Sequence, residues 1–175
     1  MTMAPRLRKF ALMVHITSSV GWIGAVVGFL VLAITGLTSQ DDQMIRAAYI
    51  SMELTAYFAI VPLSLASLLS GLVQSLGTQW GLFRHYWVLV KFLLTIIATI
   101  VLLLQLEPIS YIASKAAETT LSSSDLRNAR LSLVVHSIGG LLVLLVVTSL
   151  SVYKPRGLTR YGWRKQHKQS NKSYS

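Results

Sequence analysis

The chain has 175 residues, 53% of them hydrophobic and only 13% charged, with no cysteine and a formal net charge of +10. That balance is too apolar for an ordinary soluble domain, and the lack of cysteine excludes disulfides, thiolate metal sites and cysteine nucleophiles. The basic residues flank apolar runs instead of forming a patch on a soluble surface, which argues against nucleic acid as a partner.

A bilayer core about 30 Å thick is crossed by about 20 apolar residues in a helix, and four runs reach that length: 10–36, 48–76, 86–106 and 131–153. The first follows Arg6, Arg8 and Lys9. It is longer than the roughly 7–15 residues of a signal-peptide core and ends without a small-x-small cleavage site, so it reads as a retained span. The second contains Pro62, where a kink is expected because one backbone donor is missing. The third begins just after Arg84, and the polar stretch 107–130 separates it from the fourth. None of the runs alternates as a strand would. Because backbone groups in lipid must be satisfied internally, the predicted fold is all-α, a four-transmembrane-helix bundle. Residues 154–175 form a basic tail with Tyr153, Tyr161 and Trp163 near the expected interface.

With the N-terminus in the cytoplasm, Arg6, Arg8, Lys9, Arg84, Lys154, Arg156, Arg160, Arg164, Lys165, Lys168 and Lys172 lie inside. Arg46, Lys115, Arg127 and Arg130 lie outside. This satisfies the positive-inside rule with both termini cytoplasmic. The expected partners are the lipid bilayer, anionic lipid headgroups at the tail, and a membrane-protein partner or a second copy of the chain.

An ionisable group inside a membrane costs at least about 2.5–3.5 kcal/mol on insertion scales, so each one needs a partner or a purpose. Helical rise sorts them into two levels. His15 and Lys91 form an inner level with Arg84 and His85 at its mouth, while Glu53 and His136 form an outer level as a polar or proton-handling pair. Stripes at i, i+3, i+4 and i+7 spacing point these groups inward. They are His15, Ser18, Ser19, Trp22, Ala25 and Gly28 or Phe29 on the first span; Ser64, Ser67, Ser70, Gly71 and Gln74 on the second; Arg84, Trp87, Lys91, Thr95 and Ala98 on the third; and Ser132, His136, Gly139 and Gly140 on the fourth. Gly21, Gly24 and Gly28 are expected to admit a neighbouring backbone. Lys91 and Arg84 suit an anionic group such as a haem propionate or lipid phosphate, and either His15 or His136 suits haem iron. The separation of their depths argues against both histidines clamping one iron.

The runs HITSSVGWIGAVVGFL, GLVQSLGTQWGLFRHYWVLVKFLLT, VVHSIGGLLVLLVV and SVYKPRGLTRYG together resemble a family of small bacterial membrane proteins of unknown function. That resemblance implies a four-span fold in a bacterial inner membrane. More distantly, His15, Trp22 and Gly24 in the pattern H-x6-W-x-G, with Trp87 and Lys91 in W-x3-K, look like two characterised families. These are the copper-resistance D-type proteins and the haem-binding membrane protoporphyrinogen oxidases. The resemblance implies haem b as cofactor, with His15 as iron ligand and Lys91 as its basic partner. The chain departs from a copper pattern, since it has no Cys and Met1, Met3, Met13, Met44 and Met52 form no helical row of soft ligands.

Three functions are therefore expected in turn. The first is a non-enzymatic membrane module in which the buried polar groups serve packing. The second is a b-type haem protein, and the third is a proton relay or small channel using Glu53, His136, His15 and Lys91. Motifs of soluble enzymes, such as G-x-G-x-x-G, a Walker loop, H-E-x-x-H or G-x-S-x-G, are absent from the sequence.

Overall fold

The computed structural model describes residues 3–77, 85–118, 124–155, 157, 159 and 163–164, with backbone alone at 124–126. The described chain is helical, in the order α1 (Pro5–Thr38), α2 (Asp42–Thr55), a π-helical turn (Ala56–Ile60), α3 (Val61–Gly77), α4 (Tyr86–Ala117) and α5 (Ser124–Tyr153). Four helical stretches are long and apolar enough to cross a membrane: Pro5–Thr38, Asp42–Gly77, Tyr86–Ala117 and Arg127–Tyr153.

Local chemistry sets the ends. Pro5 occupies the first turn of α1, where its missing N–H costs nothing and its fixed φ suits a helix. Asp41 caps α2 by accepting the Gln43 N–H at 2.9 Å, satisfying one of the orphan donors of the first turn. Pro62 cannot donate to a carbonyl four residues back. The strain is taken up by the π-helical turn directly before it, a widening typical of such an interruption. Pro108 lies inside α4 without ending it.

The helices are longer than the apolar runs that announce them. α2 begins at Asp42, α4 continues through Glu107 to Ala117, and α5 begins at Ser124, so the stretch 107–130 is mostly helix extending past the hydrophobic segment.

Sequential helices are neighbours. α1 packs on α2, α3 and α5, and α4 packs on the same α2–α3 span and on α5. The result is an up-and-down ring of four helical stretches with α1 and α4 diagonally opposite. Met3 N–H donates to Gly77 O at 3.2 Å and Tyr86 N–H to Gly157 O at 3.3 Å. The start of α1, the end of α3, the start of α4 and the chain after α5 therefore share one end of the bundle.

The two halves of the bundle are held differently. Away from the termini an apolar core joins Trp22, Phe29, Tyr49, Met52, Ile60, Ile112 and Leu133. Toward the termini, α1 and α3 meet along a hydroxyl seam in which Ser64, Ser67 and Ser70 are buried. The outer surface is apolar, with Phe58, Leu104, Val20 and Leu69 all more than half exposed.

Candidate functional site

The predicted stripes on the first two spans face each other. The His15 Nδ1–H donates to the Ser67 carbonyl at 3.1 Å, with Ser70 Oγ also at 3.1 Å. Ser70 Oγ itself donates to Ala66 O at 2.6 Å, so toward His15 it accepts. Fixing the proton on Nδ1 leaves Nε2 as an acceptor, and Lys91 Nζ lies 3.4 Å from it. The Lys91 side chain thus reaches across the bundle diagonal to the imidazole. Ser19 and Ser67 share a hydroxyl bond at 2.7 Å, and Gln74 Nε2 donates to Ala11 O at 2.9 Å. A Cβ at Gly71 would stand 3.1 Å from His15 Cε1, so the absent side chain is what admits the ring.

The inner group expected from the sequence is brought together in His15 and Lys91, with Ser67 and Ser70 as partners. An ion pair joins Lys115 and Glu118 at 2.9 Å near the end of α4. Trp22 is buried. Trp87 is half-buried beside His85, with ring centroids 6.4 Å apart. Arg84 lies outside the described residues.

The outer pair is arranged differently from the expectation. His136 is exposed, and its Nδ1–H donates to the Ser132 carbonyl of its own helix at 2.7 Å, with Ser132 Oγ at 3.1 Å. Glu53 is half-buried on α2, and no hydrogen bond or ion pair among the described residues joins it to His136. α5 buries Leu133, Val134 and Ser137, which turns the seam of His136 and Gly139 outward. Added Cβ atoms at Gly24, Gly28, Gly139 and Gly140 would meet nothing within 4 Å, whereas one at Gly21 would touch the Leu63 side chain at 3.3 Å. The glycine-lined approaches expected on the first and fourth spans are therefore mostly unused within the chain.

A second polar node was not anticipated. Arg130 donates through Nε to Tyr49 Oη at 2.7 Å and through its guanidinium to Gly36 O, and its charge lies 5.4 Å from the Tyr49 ring centre. Gly36 O is among the last carbonyls of α1, which lack helical partners, and a cation there also meets the negative end of the helix dipole. A Cβ on Gly36 would fall 2.6 Å from Tyr49 Cζ, so glycine is required for this approach. The sequence signal was an arginine opening an apolar run with a glycine near the end of another helix. It identified no partner.

Haem does not fit the two histidines as they stand. His15 presents Nε2 to an ammonium group, and Gly71 closes on the ring edge. His136 borders a cavity of about 80 Å³, smaller than the roughly 150 Å³ that takes a benzene. Among the described residues no three of His, Cys, Asp and Glu converge as metal ligands. The chain matches no family model, no characterised protein and no solved structure.

Proposed function

We propose that the chain is a four-span integral membrane protein with both ends in the cytoplasm, set in a bacterial inner membrane as in the family it resembles. It acts as a non-catalytic module that packs against a membrane partner or a second copy, and its buried polar groups fasten its own helices. The observation that carries this reading is the engagement of both His15 nitrogens by the chain itself, through Ser67 and Ser70 on one side and Lys91 on the other. A group held in this way serves helix register, and its partners offset the cost of placing it in lipid. The basic residues that follow α5 supply the attraction to anionic headgroups.

Orientation is testable because the chain has no native cysteine. Gln40→Cys lies in the α1–α2 turn and Tyr153→Cys at the opposite end of the bundle. In spheroplasts, a membrane-impermeant maleimide is expected to label the first at once and the second only after permeabilisation. The reverse pattern contradicts the proposed topology.

The module reading also predicts that proteoliposomes dissipate an imposed pH gradient no faster than empty vesicles. A flux abolished by His15→Ala or Glu53→Gln would establish a proton relay instead. Protein produced with haem precursor is expected to show a featureless visible spectrum, and a Soret band lost in His15→Ala or His136→Ala would establish the haem function.

A further inference from the structure

One side of α5 carries a donor and an acceptor that the chain itself leaves unmet. Ser132, His136, Gly139 and Val143 recur at i, i+4, i+7 and i+11, which puts them on one face, and all four are exposed or half-buried. The His136 Nδ1–H is spent on the Ser132 carbonyl at 2.7 Å, so Nε2 is left as an acceptor. Ser132 Oγ lies 3.1 Å from that same protonated nitrogen and can only accept from it, which leaves the serine O–H to donate elsewhere. Among the described residues neither Nε2 nor this O–H has a partner, whereas Ser137, Ser149 and Ser151 of the same helix each donate to the carbonyl four residues back. The surrounding surface is apolar, with Val135, Ile138 and Leu142 exposed. In hydrocarbon an unmet donor and an unmet acceptor are both costly.

The two groups complement each other but do not meet within one chain, because Ser132 Oγ sits at the Nδ1 edge of the ring. The imidazole leans back over the Ser132 turn, as its 2.7 Å contact with that carbonyl shows, so donor and acceptor lie at one level of the helix. Copies inserted with the same topology have parallel α5 helices, and across a two-fold axis parallel to them equal levels meet. We infer that a second copy docks on this face, α5 against α5, each Ser132 O–H donating to the other copy's His136 Nε2. Gly139 follows about one turn further along, and a Cβ there would meet nothing within 4 Å, so backbone can approach backbone where the helices cross. A second copy brings the missing donor and the missing acceptor at the required level, and the pairing satisfies both chains at once. The inference rests on the module reading above and names its partner as a second copy.

The test is Förster transfer between full-length copies labelled with donor or acceptor dye at Gln40→Cys, reconstituted in phosphatidylethanolamine–phosphatidylglycerol vesicles and diluted serially with lipid. Transfer is expected to fall along a monomer–dimer curve. His136→Leu and Ser132→Ala are each expected to weaken pairing about tenfold, and Gly139→Leu at least as much. Neither single variant keeps a bond across the pair with itself. A His136→Leu copy beside a Ser132→Ala copy keeps one, so the mixed pair is expected to be several-fold tighter than either variant alone. Gly24→Leu and Gly28→Leu, in equally open space on α1, are expected to leave pairing unchanged. Monomer at every dilution, a mixed pair no tighter than the single variants, or a loss confined to the α1 substitutions would overturn the inference. Should a variant fail to fold, oxidative cross-linking of Gly139→Cys in membranes decides: a disulfide between copies supports the pairing, and its absence, or a cross-link to a different protein, overturns it. The module reading fails separately, on the proton-flux or haem measurements above.

Discussion

Gly36→Ala is expected to lower the unfolding temperature in detergent by about 5–10 °C, corresponding to about 2–3 kcal/mol for an overpacked site in a chain of this size. The added methyl would lie 2.6 Å from Tyr49 Cζ and 2.9 Å from its Oη. Tyr49 is only 1% exposed, so the ring has nowhere to move without leaving Arg130. Displacing it breaks the 2.7 Å bond from Arg130 Nε and the cap on the Gly36 carbonyl together. Gly24→Ala and Gly28→Ala are the matched controls on the same helix. Open space surrounds both positions, and alanine is the better helix former, so the unfolding temperature should hold or rise slightly. Equal losses at all three glycines, measured by circular dichroism, would show that the Arg130–Tyr49–Gly36 node is not what fixes the end of α1.

His15→Ala is expected to cost about 3 kcal/mol or more. Three losses coincide: the imidazole packing on Gly71, the bond to Ser67 O, and the acceptor for the Lys91 ammonium. Removing the imidazole leaves the half-buried Lys91 ammonium without its acceptor, and a hydrogen bond to a charged group costs more to lose than a neutral one. Lys91→Met should cost less, about 1–2 kcal/mol, because the imidazole keeps its Ser67 bond and only Nε2 is left without a donor. Combining Lys91→Met with His15→Leu removes both polar members and is expected to recover part of the loss, because replacing both partners by apolar groups leaves no donor or acceptor unmet. Chemical unfolding monitored by tryptophan fluorescence gives the order directly. If Lys91→Met proved the more damaging change, the imidazole would not be the group that holds this contact.

The parts of this fold that were legible in the sequence are those that leave a periodic mark. Apolar length marked the four long helical stretches, each long and apolar enough to cross a membrane. Residues 42–47, 107–117 and 124–130 are too polar to extend the apolar runs, although Ile109, Ile112, Ala113 and Ala116 recur at i, i+3, i+4 and i+7 and are buried, a helical period within the polar stretch. The His15, Ser67, Ser70 and Lys91 cluster was legible because hydroxyl and glycine positions repeat along one face of α1 and α3 against an apolar remainder. α5 offers no comparable contrast. It is apolar nearly all round, so the side of His136 that faces a neighbour is set by the other helices and not by its own sequence. The fold turns Leu133, Val134 and Ser137 inward and leaves His136 at a surface cleft. The Arg130–Tyr49–Gly36 node joins three helices through residues 36, 49 and 130, a long-range coincidence with no local period to announce it.

The central claim is that His15 and Lys91 form a closed contact fastening α1, α3 and α4. The most direct measurement is a double-mutant cycle on unfolding free energy with His15→Ala, Lys91→Met and the two combined. The contact predicts a coupling energy of about 1 kcal/mol or more, with the double variant markedly more stable than the sum of the single losses requires. Strict additivity of the two losses would contradict it, since side chains that do not touch in the folded protein leave no coupling to measure.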